Sequence, residues 1–426
     1  MVVVSGIGLV SPHGDDNDAV FAALMRGESA VRQVFPELAK PAAAATVAFD
    51  ETRWFTKLQL AGVDRVSQLA VAAADLAVKD AGPGSVDADP ERIGVYAGCG
   101  MGGAAALEAA YTVGHQGGRV QPLTIPAFML NAPAAHVAMR HRAQGPVLTY
   151  SVACASAAVA IAEAAKAVRC GEVDVAIAGG SEALIVPGVI IAWQAMQTLA
   201  RFTPGSSADN SSSGSSDSSP GSSSDANADE AARSCRPFAA DRSGFVLGEG
   251  AAFLVLESAE RARRRGARVY AELAGSGLSC DATHLTKPDA PGQQRALRAA
   301  LAQAGLEPAD IGYCNAHGTA TKVGDVVESD ALRAVWGSAI DGLRVSSTKA
   351  LHGHLLGATG ALEAAITVLA LHHQQLPPNA HCSAVDPACP LNLVLQTGTA
   401  APGLQAAVSN SFAFGGTNSV LVFRRE

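Results

Sequence analysis

The chain has little of what several protein classes require. No apolar run reaches the roughly 18–20 residues of a membrane-spanning helix. The first residues, Met1 to Gly6, carry neither the basic stretch nor the cleavage pattern of a secretory leader. Eight cysteines contain no CxxC pair, which argues against a zinc ribbon or a disulfide framework. Cationic side chains are outnumbered, 31 Lys and Arg against 39 Asp and Glu, and the net charge of −8 excludes a general nucleic-acid binder. Aromatic residues reach only 5% and charged residues 16%. A reduced, cytoplasmic protein is expected.

What the chain has is small and apolar. Hydrophobic residues make up 48% of its 426 positions and glycine supplies 43, a composition suited to closely packed strands and helices. Apolar runs predict strands at Val2–Ile7, Ile93–Ala97, Val147–Val152, Val173–Ala178 (ending at Gly179-Gly180), Ala251–Leu256, Ile311–Asn315, Leu343–Val345, Ala407–Asn410 and Ser419–Phe423. Helical periodicity predicts helices over Val66–Ala81, Ala155–Arg169, Gln293–Ala304 and Ala361–His372. This alternation predicts an α/β fold with helices covering sheet faces. Two halves are expected, residues 1–257 and 258–426. From Pro204 to about Asp229, Ser, Gly, Asp and Asn dominate, and a disordered surface insertion is expected there. The cations from Arg261 to Arg265 read as the C-terminal end of a helix capped by Gly266.

Three separated segments carry reactive side chains. Tyr150 to Ser156 holds Cys154, Asn315 to Thr321 holds His317, and Ser346 to His354 holds Lys349, His352 and His354. Cys154 falls between a predicted strand and a predicted helix, where the helix dipole favours a thiolate; an inert buried cysteine is the other reading. A thiol with two imidazoles suits acyl-thioester chemistry, the thiol holding an acyl group and two N–H donors stabilising an oxyanion or enolate. His352 and His354 lack a third partner at metal-ligand spacing, so no metal is expected. Glu328 is a candidate ion-pair partner for Lys349. Two glycine patterns are set aside. Gly98 to Gly103 satisfies GxGxxG without an acid about 20 residues later, and Gly6-Ile-Gly8 reads as a turn.

Together with Asn410 to Asn418, these segments resemble an elongating, type II β-ketoacyl–acyl-carrier-protein synthase of the thiolase superfamily, from Val2 to Phe423. The resemblance implies a thiolase-like fold of two related halves in an αβαβα sandwich. It implies decarboxylative condensation of an acyl group held on Cys154 with malonyl-acyl carrier protein, and no cofactor. By the same resemblance, His317 and His354 bind the malonyl thioester carbonyl, and Lys349 and Glu328 form a supporting charged pair. Thr319 and Thr321 hold the phosphopantetheine arm. Phe414 is the gate, backbone N–H groups of Cys154 and Phe414 form the oxyanion hole, and Met101 lines the acyl pocket. A homodimer is implied, with a heterodimer as the alternative, and an acyl carrier protein as partner. Lys57, Arg65, Arg140, Arg142 and Arg201 are candidates for its docking surface. Two positions depart from the family pattern. Ala413 stands where glycine is usual, which predicts a stiffer gate, and Val152-Ala153 is unusually apolar before the nucleophile. A polyketide or polyene synthase is therefore the alternative reading, and a non-catalytic chain-length-factor-like subunit a third.

Overall fold

The computed structural model describes residues 1–201 and 228–426. Most of the Ser-rich segment lies outside them, and residues 228–232 at its end are helical.

Eleven strands form one hydrogen-bonded sheet. They are β1 (Val2–Val10), β2 (Ile93–Gly98), β3 (Val147–Tyr150), β4 (Val175–Glu182), β5 (Gly250–Ser258), β6 (Ala271–Cys280), β7 (Tyr313–Asn315), β8 (Arg344–Ser346), β9 (Asn392–Leu393), β10 (Ala406–Phe412) and β11 (Thr417–Arg424). The spatial order is β9-β8-β7-β10-β11-β6-β1-β5-β4-β2-β3. The run β3-β2-β4-β5-β1 repeats as β8-β7-β10-β11-β6. The two runs join where β1 pairs with β6, at Val3/Glu272 and Val4/Ala271.

Five helices define the layers. Helices α1 (Arg65–Asp80), α2 (Ser156–Arg169), α3 (Ala290–Ala304), α4 (Gly324–Trp336) and α5 (Thr359–His373) account for most of the helical packing on the sheet. α2 and α5 lie against each other, and each touches strands of both runs, so they form the middle layer. α1 covers β1 and β5 on one outer face, and α3 covers β6 and β11 on the other, with α4 packed on α3. Burying α5 on all sides is possible because its residues from Thr359 to Leu371 are apolar or small, apart from Glu363.

The elements predicted from the sequence are present, with two corrections. Gly6 and Gly8 lie inside β1, not in a turn: a Cβ on Gly6 would stand 2.3 Å from the Ala77 carbonyl oxygen of α1, and on Gly8 2.0 Å from that of Ala73. Gly179 and Gly180 do not end β4, which continues to Glu182. A Cβ on Gly179 would meet the Ala252 carbonyl oxygen at 2.0 Å. Glycine here permits close packing and does not mark a chain reversal. The Arg261–Arg265 cluster ends the helix Ala259–Arg264 as expected, and Arg261 and Arg265 both pair with the buried Glu257.

Candidate active site

Three chain reversals at the ends of β3, β7 and β8 bring the reactive side chains together. After β3 the backbone turns through Ala153, at φ 49°, and passes Cys154 into the first turn of α2. Ser156 locks this turn, its hydroxyl accepting from the Val152 N–H at 2.9 Å and donating to the Ala153 carbonyl at 2.6 Å. His317 follows β7. Its backbone N–H and that of Gly318 donate to the two oxygens of Glu328 on α4, at 2.8 and 2.7 Å. His354 follows β8 and the short helix Lys349–His352, and its own N–H donates to the Val246 carbonyl at 2.6 Å.

The His354 Nε2 atom lies 3.0 Å from the Cys154 sulfur, and its Nδ1 bonds the Thr359 hydroxyl at 2.9 Å. The His317 ring crosses that of His354 edge-on at 5.5 Å. The ligand atoms of Cys154, His317 and His354 lie within 4.8 Å of one another, a spacing that a thiophilic cation would also accept. The His352–His354 spacing gave no sign of this clustering of ligand atoms, because His352 points away, to Thr348 and the Gly353 carbonyl. All three groups sit in the wall of a cavity of about 720 Å3 that is also lined by Thr319, Thr321, Trp193, Phe245 and Phe414.

Burial sets the protonation states. It pushes the Cys154 thiol up to about 12, against the opposing charge of Lys349 and the Phe414 and Cys154 backbone N–H groups. The thiolate expected from the helix N-terminus is therefore outweighed by burial. Burial, and then the Lys349 charge, hold His317 and His354 well below the usual imidazole range, so both are neutral near pH 7.

Lys349 is fully buried and bonds Glu363 Oε1 at 2.6 Å. The expected pair with Glu328 does not form: Glu328 is saturated by the His317 and Gly318 amides and by Asn410 Nδ2 at 3.0 Å. Glu363 was missed because it lies 14 residues on, in a segment that reads as plain apolar helix; a lone acid on that helix was the available signal. Thr319 and Thr321 share a hydrogen bond at 3.1 Å inside the cavity. Phe414 stands over Trp193 at 6.2 Å. Ala413 keeps out of the left-handed region, where Gly415 and Gly416 sit at φ 84° and 76°, so its Cβ adds no backbone strain to the gate.

Met101 lies outside the cavity lining and is 50% exposed. The amides of Gly100 and Met101, which a nucleotide phosphate would need, are taken by Glu182, in keeping with the rejection of GxGxxG. Among the expected docking cations, Arg65 is engaged by Glu249 and Arg140 by Asp75, and only Arg201 lines the cavity. Lys40, Lys287 and Lys322, all exposed, line it as well and were missed.

Comparison with known proteins agrees with this geometry. Residues 1–262 match the N-terminal domain, and residues 270–383 the C-terminal domain, of beta-ketoacyl synthase. Nodulation protein E of Rhizobium meliloti is 38% identical, covering 100% of this chain and 99% of its own. The 3-oxoacyl-[acyl-carrier-protein] synthase 2 of Staphylococcus aureus is 36% identical, covering 100% and 98%. A solved structure described as the ishigamide ketosynthase/chain length factor superposes with a TM-score of 0.87 at 31% identity, over 100% of this chain and 99% of that one.

Proposed function

Because the chain belongs to the β-ketoacyl synthase family, we propose that it is an elongating 3-oxoacyl-acyl-carrier-protein synthase of fatty-acid biosynthesis. Its layered arrangement is the thiolase fold that the resemblance implied. The observation that carries the activity is the 3.0 Å approach of His354 Nε2 to the Cys154 sulfur, with His317 beside it.

In the first half-reaction Cys154 gives up its thiol proton and its sulfur attacks the acyl thioester carbonyl. A new C–S bond forms, and the bond to the carrier's pantetheine sulfur breaks, that sulfur taking up the proton Cys154 released and leaving as a thiol. Backbone N–H groups of Cys154 and Phe414 hold the oxyanion. Thr359 can either donate to or accept from His354 Nδ1, so Nε2 is able to take a proton or to offer one. In the second half-reaction the malonyl C–COO⁻ bond breaks, CO2 leaves, and the electron pair remains as an enolate. Neutral His317 and His354 donate N–H bonds to its oxygen in a site screened from water. The enolate carbon attacks the Cys154 thioester; the C–S bond breaks, and the released thiolate takes up one proton. Thr319 and Thr321 hold the pantetheine arm, and the fully buried Lys349, held by Glu363, supplies a positive charge that helps keep both histidines neutral.

The substrate carrier is an acyl carrier protein, and the exposed Lys40, Arg201, Lys287 and Lys322 suit an acidic one. A homodimer fits the edge strand β3, which ends the sheet with Val147 and Leu148 exposed, and the exposed Met101, Ile125, Leu130 and Met139 on the same half. The chain divides near residue 257 into a thiol-bearing and an imidazole-bearing half, a division supported by the repeated strand order. No described helix is long and apolar enough to cross a membrane, and a cytoplasmic location suits a carrier-protein enzyme.

A polyketide or polyene synthase of secondary metabolism is the second reading, favoured by the likeness to the ishigamide ketosynthase/chain length factor. Assembly of Cys154, His317 and His354 in one site speaks against a non-catalytic subunit. The test is intact-mass analysis of wild type and Cys154→Ala with acyl-carrier proteins of graded chain length, followed by malonyl-carrier protein. An adduct on wild type alone, and a 3-oxo product two carbons longer, are expected. No adduct with any length would sink the synthase reading.

A further inference from the structure

Glu182 is an acid that neither the motifs nor the reaction accounts for. It ends β4 and is completely buried. No cation reaches it among the described residues; its ligands are backbone amides. Oε2 accepts from Gly100 N at 2.7 Å and from Gly357 N at 2.9 Å, and Oε1 accepts from Met101 N at 3.2 Å. The Cys99 thiol stands 3.8 Å from Oε1. The cradle is built to fit: a Cβ on either Gly100 or Gly357 would approach Oε2 to 2.5 Å.

Each amide belongs to a different part of the site. Gly357 lies in the short helix Leu356–Ala358 that follows His354. The Cys99–Met101 loop abuts the nucleophile segment, because Cys99 N donates to the Tyr150 carbonyl and the Ser151 hydroxyl donates to the Gly100 carbonyl at 3.3 Å. Ala104, just beyond the loop, shares an apolar cluster with Cys154 and Leu356. One carboxylate therefore ties the chain beside the thiol to the chain that carries the imidazole.

We infer that Glu182 is a positioning residue that clamps the Cys99–Met101 loop to the His354–Gly357 turn, holding the acyl-bearing and decarboxylating halves of the site in one register. The inference rests on the condensing reading of the site. Condensation needs the Cys154 thioester carbon and the enolate held by His354 in near-attack geometry, so it is sensitive to this register. Acylation calls on His354 only through its contact with the Cys154 sulfur and needs no placement of an enolate, so it is less so. An amide in place of the carboxylate would present N–H groups to amide donors, and an aspartate would be one methylene too short to span both sides.

The test uses Glu182→Gln and Glu182→Asp in the full-length protein, with two independent readouts. The first is the single-turnover rate of Cys154 acylation, by intact mass, against the rate of elongation from pre-acylated enzyme. Expected are acylation within about threefold of wild type and elongation slowed on the order of 100-fold in Gln, with Asp between, a loss of about 2.7 kcal/mol of transition-state stabilisation in Gln. The second is backbone hydrogen exchange, expected to accelerate together at Gly100, Met101 and Gly357 while α2 and β5 keep their protection. Parallel loss of both rates, or elongation equal to wild type, overturns the inference. So does unchanged exchange at the three amides, which decides the clamp even if wild type were to take no acyl thioester and the condensing reading itself fell.

Discussion

The Nε2 atom of His354 stands 3.0 Å from the sulfur of Cys154, a contact across 200 residues of chain. It joins the nucleophile after β3 to a histidine after β8, the equivalent strand of the repeated order. Each group is held from behind, Cys154 by the Ser156-locked turn and His354 by Thr359 and the Val246 carbonyl. The two half-reactions should therefore separate under mutation. Cys154→Ala abolishes the acyl adduct. His317→Ala leaves acylation within a few-fold but slows elongation by about 100-fold or more, the usual size for losing one oxyanion donor. His354→Ala slows elongation likewise and also slows acylation, since it alone touches the sulfur. Single-turnover mass spectrometry separates the steps; equal loss of both steps in His317→Ala would contradict the assignment.

Lys349 and Glu363 form a buried pair with no exposure on either side. Removing one partner strands a charge in the core, at a cost of about 3–5 kcal/mol. Lys349→Met should lower the denaturation midpoint accordingly, and Glu363→Gln should do so less, since a neutral amide still accepts from Nζ. The double variant, Lys349→Met with Glu363→Gln, should recover part of the stability without recovering elongation. Urea unfolding of the four proteins as a cycle measures this, and additive losses would deny that the two residues act as a pair.

Periodic, strongly apolar elements were legible in the sequence, and so were the residues whose chemistry is unusual for their surroundings. Cys154, His317 and His354 were found from type and local pattern. Glu182 and Glu363 were not: the amide partners of Glu182 lie far along the chain, and at neither position does anything local separate a buried acid from a solvated one. The pairing of Lys349 with Glu328 failed for the same reason. Glu328 lies farther from Lys349 in sequence than Glu363 does, and backbone amides take both its oxygens. Glycine misled twice, at Gly6–Gly8 and Gly179–Gly180, where the missing Cβ serves packing between elements and leaves no turn. Of the expected docking cations Arg201 lines the cavity, whereas Arg65 and Arg140 are engaged by carboxylates, which charge alone could not reveal.

The cations that do line the cavity give a charge-reversal prediction. Lys287→Glu and Lys322→Glu should raise KM for acyl-carrier protein several-fold each while kcat stays near wild type, because these side chains are exposed whereas Cys154, His317 and His354 are buried. The effect should shrink as ionic strength rises from about 0.05 to 0.5 M, as screening removes the steering term. With acyl-pantetheine in place of the carrier protein, both variants should match wild type. A loss of kcat on acyl-pantetheine would show that the substitutions disturb the site itself.

Glu182 also predicts a pH dependence of stability that runs opposite to the usual acidic case. Burial raises its carboxyl from an ordinary 4.5 to about 7, the three amide donors notwithstanding. A carboxyl with a raised native pKa binds its proton more tightly folded than unfolded. Its contribution is thus fully present below about 4.5 and fades as pH rises through about 7, an interval corresponding to about 3 kcal/mol. The Cys99 thiol, its titratable neighbour, is itself pushed well up by burial and stays protonated throughout this range. Glu182→Gln removes the term, so the stability of wild type relative to Glu182→Gln should fall between pH 5 and pH 7.5 and then level off. Urea midpoints of the two proteins, measured in parallel at half-unit steps, isolate this residue from every other group that titrates. A difference that is flat across the range would mean that Glu182 keeps an ordinary pKa and is charged at all these values.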